Sequence, residues 1–154
     1  MNNYEKLVSF IEKKLNFSEE FLNLSTKLKN SVDNYNFDDV TSILDNRKEL
    51  IKTIDGIDGE FVALYESLSK SDDFSNELKK YPQLSENIIK IRQNFQKVQN
   101  IDAEIMPFID AEYKQIQSEL KEHNNKAKVT NKYGQDSIDR MTINNYGIFF
   151  DEKK

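Results

Sequence analysis

Four ionisable side chains occupy positions where helical periodicity calls for apolar ones: Lys14, Arg47, Asp102 and Glu112. Arg47 is the most demanding. It interrupts the seam Val40, Ile43, Leu50, Ile54, Ile57, Phe61, Leu64, Leu68, whose gaps otherwise alternate three and four. A guanidinium stays protonated inside a protein, so it needs a carboxylate or a water-filled gap. Folding the chain antiparallel about residue 76 places Arg47 opposite a position near 105, within one helical turn of Asp102. An Arg47–Asp102 interaction, direct or through water, would fix the register of two helices more than it would stabilise them. The competing reading is that Arg47 snorkels outward along its own stem and Asp102 faces solvent.

Catalytic chemistry finds little to work with. The single histidine, His123, has Glu119 four residues before it, whereas a carboxylate-bridged di-metal site in a bundle needs two Glu-x-x-His sets. There is no cysteine, and therefore no thiolate nucleophile or disulfide framework. Gly56 and Gly59 lie among acidic residues and form no phosphate-cradling loop, and no Ser-His-Asp arrangement stands out. Arg47, Asp102 and Glu112 are the one conceivable nucleus of an active site. The chain reads as a non-enzyme with no cofactor, no metal site and no catalytic residue.

Composition sets the frame for the elements that must position these charges. The 154 residues fit one domain; 37% are hydrophobic and 32% charged, a balance suited to a slender bundle in which each helix buries one stripe. A net charge of −5 disfavours nucleic acid as a partner, since phosphate binding calls for a basic face. No apolar run approaches the ~20 residues that span a bilayer, and the opening MNNYEKLVSF lacks a secretory apolar segment, so a cytoplasmic protein without membrane insertion is expected.

The first segment, about Asn3–Asn34, reads as one long helix with the seam Leu7, Phe10, Phe17, Phe21, Leu24, Leu28, Val32, Tyr35, skipping a slot at Lys14. Asn36 is suited to cap the second helix, with Asp38 and Asp39 favoured by its dipole and a Tyr35–Val40 staple across its start. That helix runs to about Leu68 through Gly56 and Gly59. These glycines mark either close approach of a neighbouring helix or a soft spot for a docking partner. Phe74, Leu78 and Tyr81 suggest a short connecting helix, and Pro82 opens a third long helix to His123. Its seam runs Leu84, Ile88, Ile91, Phe95, Val98, Asp102, Ile105, Ile109, Glu112, Ile116, Leu120, with Pro107 removing one backbone hydrogen bond. The expected fold is all-α: an elongated antiparallel bundle of three long helices with a short connecting helix and a flexible tail.

Apolar residues beside that last seam, Ile89, Ile101, Met106, Phe108 and Tyr113, widen its apolar face. Either the first helix covers this face, or part of it stays open as a groove for a partner helix. Candidate groove residues are Ile101, Ile105, Phe108 and Tyr113, with Phe61 and Tyr65 on the second helix. Residues 1–123 form the expected bundle and 124–154 a tail that keeps Tyr133, Tyr146, Phe149 and Phe150. Those aromatics suit a short docking motif on a tether; an ordinary frayed terminus is the alternative.

The stretch Ile43–Asp55, ILDNRKELIKTID, resembles the second-helix signature of the flagellar type III export chaperones, the FliT-like and FlgN-like small helical proteins. The order of helices and the ending Gly147–Lys154, GIFFDEKK, are similar to that group as well. The resemblance implies a chaperone that binds the C-terminal helical segment of a filament-cap or hook–filament junction protein, prevents premature assembly, and delivers it to the export ATPase and gate. It implies helix-in-groove binding, with Tyr133 and Tyr146 as candidates to touch the gate; a homodimer is compatible with it. The alternative is a structural or regulatory helical adaptor, unrelated to motility, that acts by self-association or partner binding.

Overall fold

A computed structural model describes residues 1–123. The tail candidates Tyr133, Tyr146, Phe149 and Phe150 lie outside the described residues. Among the described residues four helices follow in order: α1 (Asn3–Asp33), α2 (Phe37–Ser69), α3 (Phe74–Leu78) and α4 (Pro82–His123). The fold is an all-α bundle, with three long helices and one short connecting helix.

Local signals account for the boundaries. Asn2 caps α1, its side-chain oxygen accepting from Glu5 N–H at 2.8 Å, and Asn36 caps α2, accepting from Asp39 N–H at 3.4 Å. Between them α1 ends in a Schellman motif: Asn36 N–H donates to the Ser31 carbonyl at 2.8 Å and Tyr35 N–H to that of Val32 at 3.1 Å. Tyr35 takes the left-handed backbone (φ 56°) that the motif requires and stands 83% exposed. The expected staple onto Val40 therefore does not form, because the left-handed turn carries the ring into solvent. Val40 is buried without it.

α1 packs closely against both α2 and α4, and the backbones of α2 and α4 stay further apart. α1 thus has two working faces, and its centre line differs from the one its large residues suggest. The buried positions are Leu7, Val8, Ile11, Lys14, Ser18, Phe21, Ser25, Leu28 and Val32, with Phe10, Phe17 and Leu24 half-buried on the flanks. Ser18 and Ser25 are fully buried, each satisfied by its own helix, at 2.7 Å to the Leu15 carbonyl and 2.8 Å to that of Phe21. Small side chains on the middle line suit a helix that must approach two neighbours at once. On α4 the apolar seam is buried from Leu84 to Ile109. At the lower end Tyr4 stacks on Tyr81 at 6.1 Å and Phe74 meets Tyr65 edge-on at 5.2 Å, so α3 closes the bundle with aromatic rings.

Gly56 and Gly59 are exposed, and a Cβ at either would meet nothing within 4 Å. Close approach of another helix among the described residues therefore does not explain them.

Candidate functional site

The charged seam positions separate into two buried ion pairs and a remainder. The structure brings Arg47 and Asp102 together. Nη1 donates to Oδ1 at 2.9 Å and Nη2 to Oδ2 at 2.8 Å, a two-pronged pair with Arg47 fully buried and Asp102 only 3% exposed. The guanidinium also lies over the Phe21 ring at 4.6 Å, and Phe21 meets Phe95 edge-on at 5.9 Å. The pair sits in the space between α2 and α4, where backbone approach is loose and a long side chain can cross. Lys14, the skipped slot of α1, reaches Asp58 of α2 at 2.6 Å, and both side chains are buried. Asp58 was not marked by seam spacing, since it lies beside Ile57 and off the apolar stripe; the unmatched Lys14 was the signal that a buried acid existed somewhere.

Glu112 is the remaining charged slot of α4. It is half-buried, and among the described residues no side chain pairs with it. It lines two clefts. The larger, about 320 Å³, lies between α4 and the α1–α2 turn and includes Tyr35, Phe37 and Phe108. The smaller, about 120 Å³, continues along α2 to Thr41, Tyr113 and Ile116. Tyr113 and Thr41 share a hydroxyl–hydroxyl hydrogen bond of 3.1 Å across this boundary.

The clefts arise from unequal helix lengths. α1 and α4 run parallel with an offset of 75 or 76 residues, at Lys29–Glu104 and Ser18–Asn94, so the end of α1 at Asp33 is level with Phe108. α4 continues to His123 and its last two turns or so pass beyond the α1–α2 turn. Burial on the seam stops at the same level. Ile116 and Leu120 are half-buried and belong neither to the core nor to the side chains packed against it. Phe108 is 64% exposed.

The candidate groove residues thus fall into three groups. Ile105 and Phe61 are core residues, 1% and 4% exposed, and present no surface to a partner in this arrangement. Ile101 is half-buried on the core. Phe108 and Tyr113 lie at the upper clefts, whereas Tyr65, 38% exposed, belongs to the aromatic end with α3. By register Tyr65 and Phe108 stand roughly 30 Å apart along the bundle, too far to act as one short groove. Tyr35 and Phe37 complete the upper clefts; Tyr35 was read only as the end of the α1 seam and a staple onto Val40, and Phe37 was given no role. An aromatic pair flanking a capping asparagine was the available signal.

Among the described residues no group of three or more His, Cys, Asp or Glu side chains could hold a metal ion, and no helix is long and apolar enough to cross a membrane.

Compared with known proteins, residues 15–135 match the model of one family, described as flagellar protein FliT. No curated protein and no solved structure matches the chain.

Proposed function

The chain belongs to the FliT family, flagellar export chaperones, and on that footing we propose that it acts in the cytoplasm on the C-terminal helical segment of a filament-cap or hook–filament junction protein. It prevents that segment from assembling early and hands it to the export ATPase and gate. One observation supports this reading above others: the apolar seam of α4 outlasts its partners, leaving Phe108 and Ile116 at clefts that the chain's own described helices do not fill.

The mechanism is exchange of apolar surface. A subunit's terminal helix is adhesive because its lattice neighbours are absent, and burial of its stripe on α4 removes that surface from water at roughly 25 cal/mol per Å². Ordering the segment opposes binding, which keeps the complex releasable. The Lys14–Asp58 pair sets α1 against α2 and the Arg47–Asp102 pair sets α2 against α4, so the clefts are in place before a partner arrives.

Immobilised full-length protein, exposed to lysate of flagellated cells and followed by mass spectrometry, tests the reading. Retention of a cap or junction protein, lost when Phe108→Glu is introduced without loss of helicity, is the expected result. Retention of neither class by the unaltered protein overturns it.

A further inference from the structure

Seam charges in this bundle follow a rule: where the chain places a charge on the packing line, it places the opposite charge opposite. Arg47 has Asp102 and Lys14 has Asp58, each pair at hydrogen-bond distance and buried. Glu112 is the exception. It occupies a seam slot of α4, is half-buried, and has no cationic partner among the described residues. Neither cleft that it lines contains a lysine or arginine, and each adds a second carboxylate, Asp33 in one and Asp38 in the other. The nearby cations are engaged elsewhere: Lys29 with Asp33 and Glu104, at 3.3 Å each, and Lys114 with Asp110 at 2.8 Å.

We infer that Glu112 is the reader of a cationic side chain: the partner that seats in these clefts is an amphipathic helix carrying a Lys or Arg between its apolar anchors, and that cation meets Glu112 as Arg47 meets Asp102. The inference rests on the export-chaperone reading for the class of partner and adds the charge by which the partner is chosen. Apolar anchors would lie against Phe108 and Ile116, one on each side of Glu112 on α4 and at i−4 and i+4 from it. A carboxylate set among aromatic rings favours a cation over a neutral residue and repels an acidic one, so it selects among helices that share an apolar stripe. Tyr35 strengthens the case. It holds a left-handed backbone usually given to glycine, at the rim of the larger cleft and 83% exposed, where packing among the described residues gives it no reason to be aromatic.

The test uses the full chain and, as probes, the purified cap and junction proteins of the same genome. Affinity for the probe that binds is measured by titration calorimetry for the unaltered protein, Glu112→Gln and Glu112→Arg. The expected result is a loss of about tenfold for Glu112→Gln and a larger one for Glu112→Arg. Changing each Lys or Arg of the probe's terminal helix to Glu in turn should find one position that restores binding to Glu112→Arg. Binding by Glu112→Arg equal to the unaltered protein, or no restoring position, overturns the inference and leaves the chaperone reading standing. Binding of no probe by the unaltered protein removes both. A photo-crosslinking side chain placed at Phe108 should capture the probe; capture of residues 124–154 or of a second copy in the probe's presence overturns the assigned occupant. Glu112→Gln should keep or raise the melting midpoint, and a lower midpoint would reveal an internal partner and count against the inference.

Discussion

Lys14 of α1 and Asp58 of α2 meet at 2.6 Å with side chains 3% and 6% exposed, so two opposite charges are held almost dry between helices that apolar packing alone could join. Losing one member strands the other. Lys14→Met or Asp58→Leu alone should destabilise by about 3–5 kcal/mol, while the double substitution should be near neutral or stabilising. Urea unfolding of the three variants checks this. Equal destabilisation in the double variant would mean that the pair adds net stability beyond its own desolvation.

The Arg47–Asp102 pair carries a different expectation, because its two parallel bonds need a planar fork. Arg47→Lys keeps the charge but offers one point of contact, loses the stacking on Phe21, and should cost about 1–3 kcal/mol. Replacing both residues with leucine should keep helicity while widening the range of α2–α4 registers, seen as extra or broadened amide resonances. A single sharp set of resonances from that variant would show that apolar packing fixes the register unaided.

The α4 seam was legible from Leu84 to Ile109, where one helix face carries a row of large side chains broken only at Asp102 and burial follows the spacing, whereas Ile116 and Leu120 continue the spacing without being buried. α1 was less legible. It serves two neighbours, so its middle line carries Ser18 and Ser25, small residues that no hydrophobic pattern highlights. The site was legible only in part. Phe108 and Tyr113 follow from the widened face of α4, yet Ile105 and Phe61 sit on the packing seams themselves and lie in the core. Sequence period gives the direction a residue faces, and relative helix length decides where cover runs out. That level depends on the tertiary offset of α1 against α4, which local pattern does not contain.

Gly56 and Gly59 sit in the interior of α2 with no left-handed backbone and open space where a Cβ would be. Alanine at each should therefore stabilise by roughly 0.5–1 kcal/mol through helix propensity, and the two gains should add. Chemical denaturation of both single variants and the double checks this. A loss of stability at either position would mean that something approaches the glycine face after all, such as a second copy of the chain.

Lys29 ties α1 to α4, and its pKa is raised above the ordinary 10.5 by hydrogen bonds to Asp33 and then Glu104. A raised folded-state value means that its contribution is complete below the unfolded value and disappears as pH climbs through the folded one. The difference in urea midpoint between the unaltered protein and Lys29→Met should be constant at pH values below the unfolded lysine value and shrink away as pH rises through the raised folded one. The pair is partly exposed, so added salt should shrink the difference. A difference that persists undiminished at the alkaline end would assign it to packing of the lysine stem instead.

Tyr35 separates stability from binding. A residue with a side chain loses about 1–2 kcal/mol in the left-handed region, whereas glycine loses roughly 0.4–1 kcal/mol through its freer unfolded chain. Tyr35→Gly should thus raise stability by about 0.5–1 kcal/mol, because the Schellman bonds at Ser31 and Val32 are retained and the exposed ring gives up little contact. The same change strips an aromatic from the cleft beside Phe37 and Phe108, so partner capture should weaken several-fold while the protein becomes harder to unfold. Tyr35→Phe keeps the ring and should keep capture. Urea unfolding together with calorimetric titration of the bound cap or junction protein reads both effects on one sample. Gain in stability with undiminished capture would place the docking surface elsewhere, and loss of stability would mean that the ring supports the α1–α2 turn.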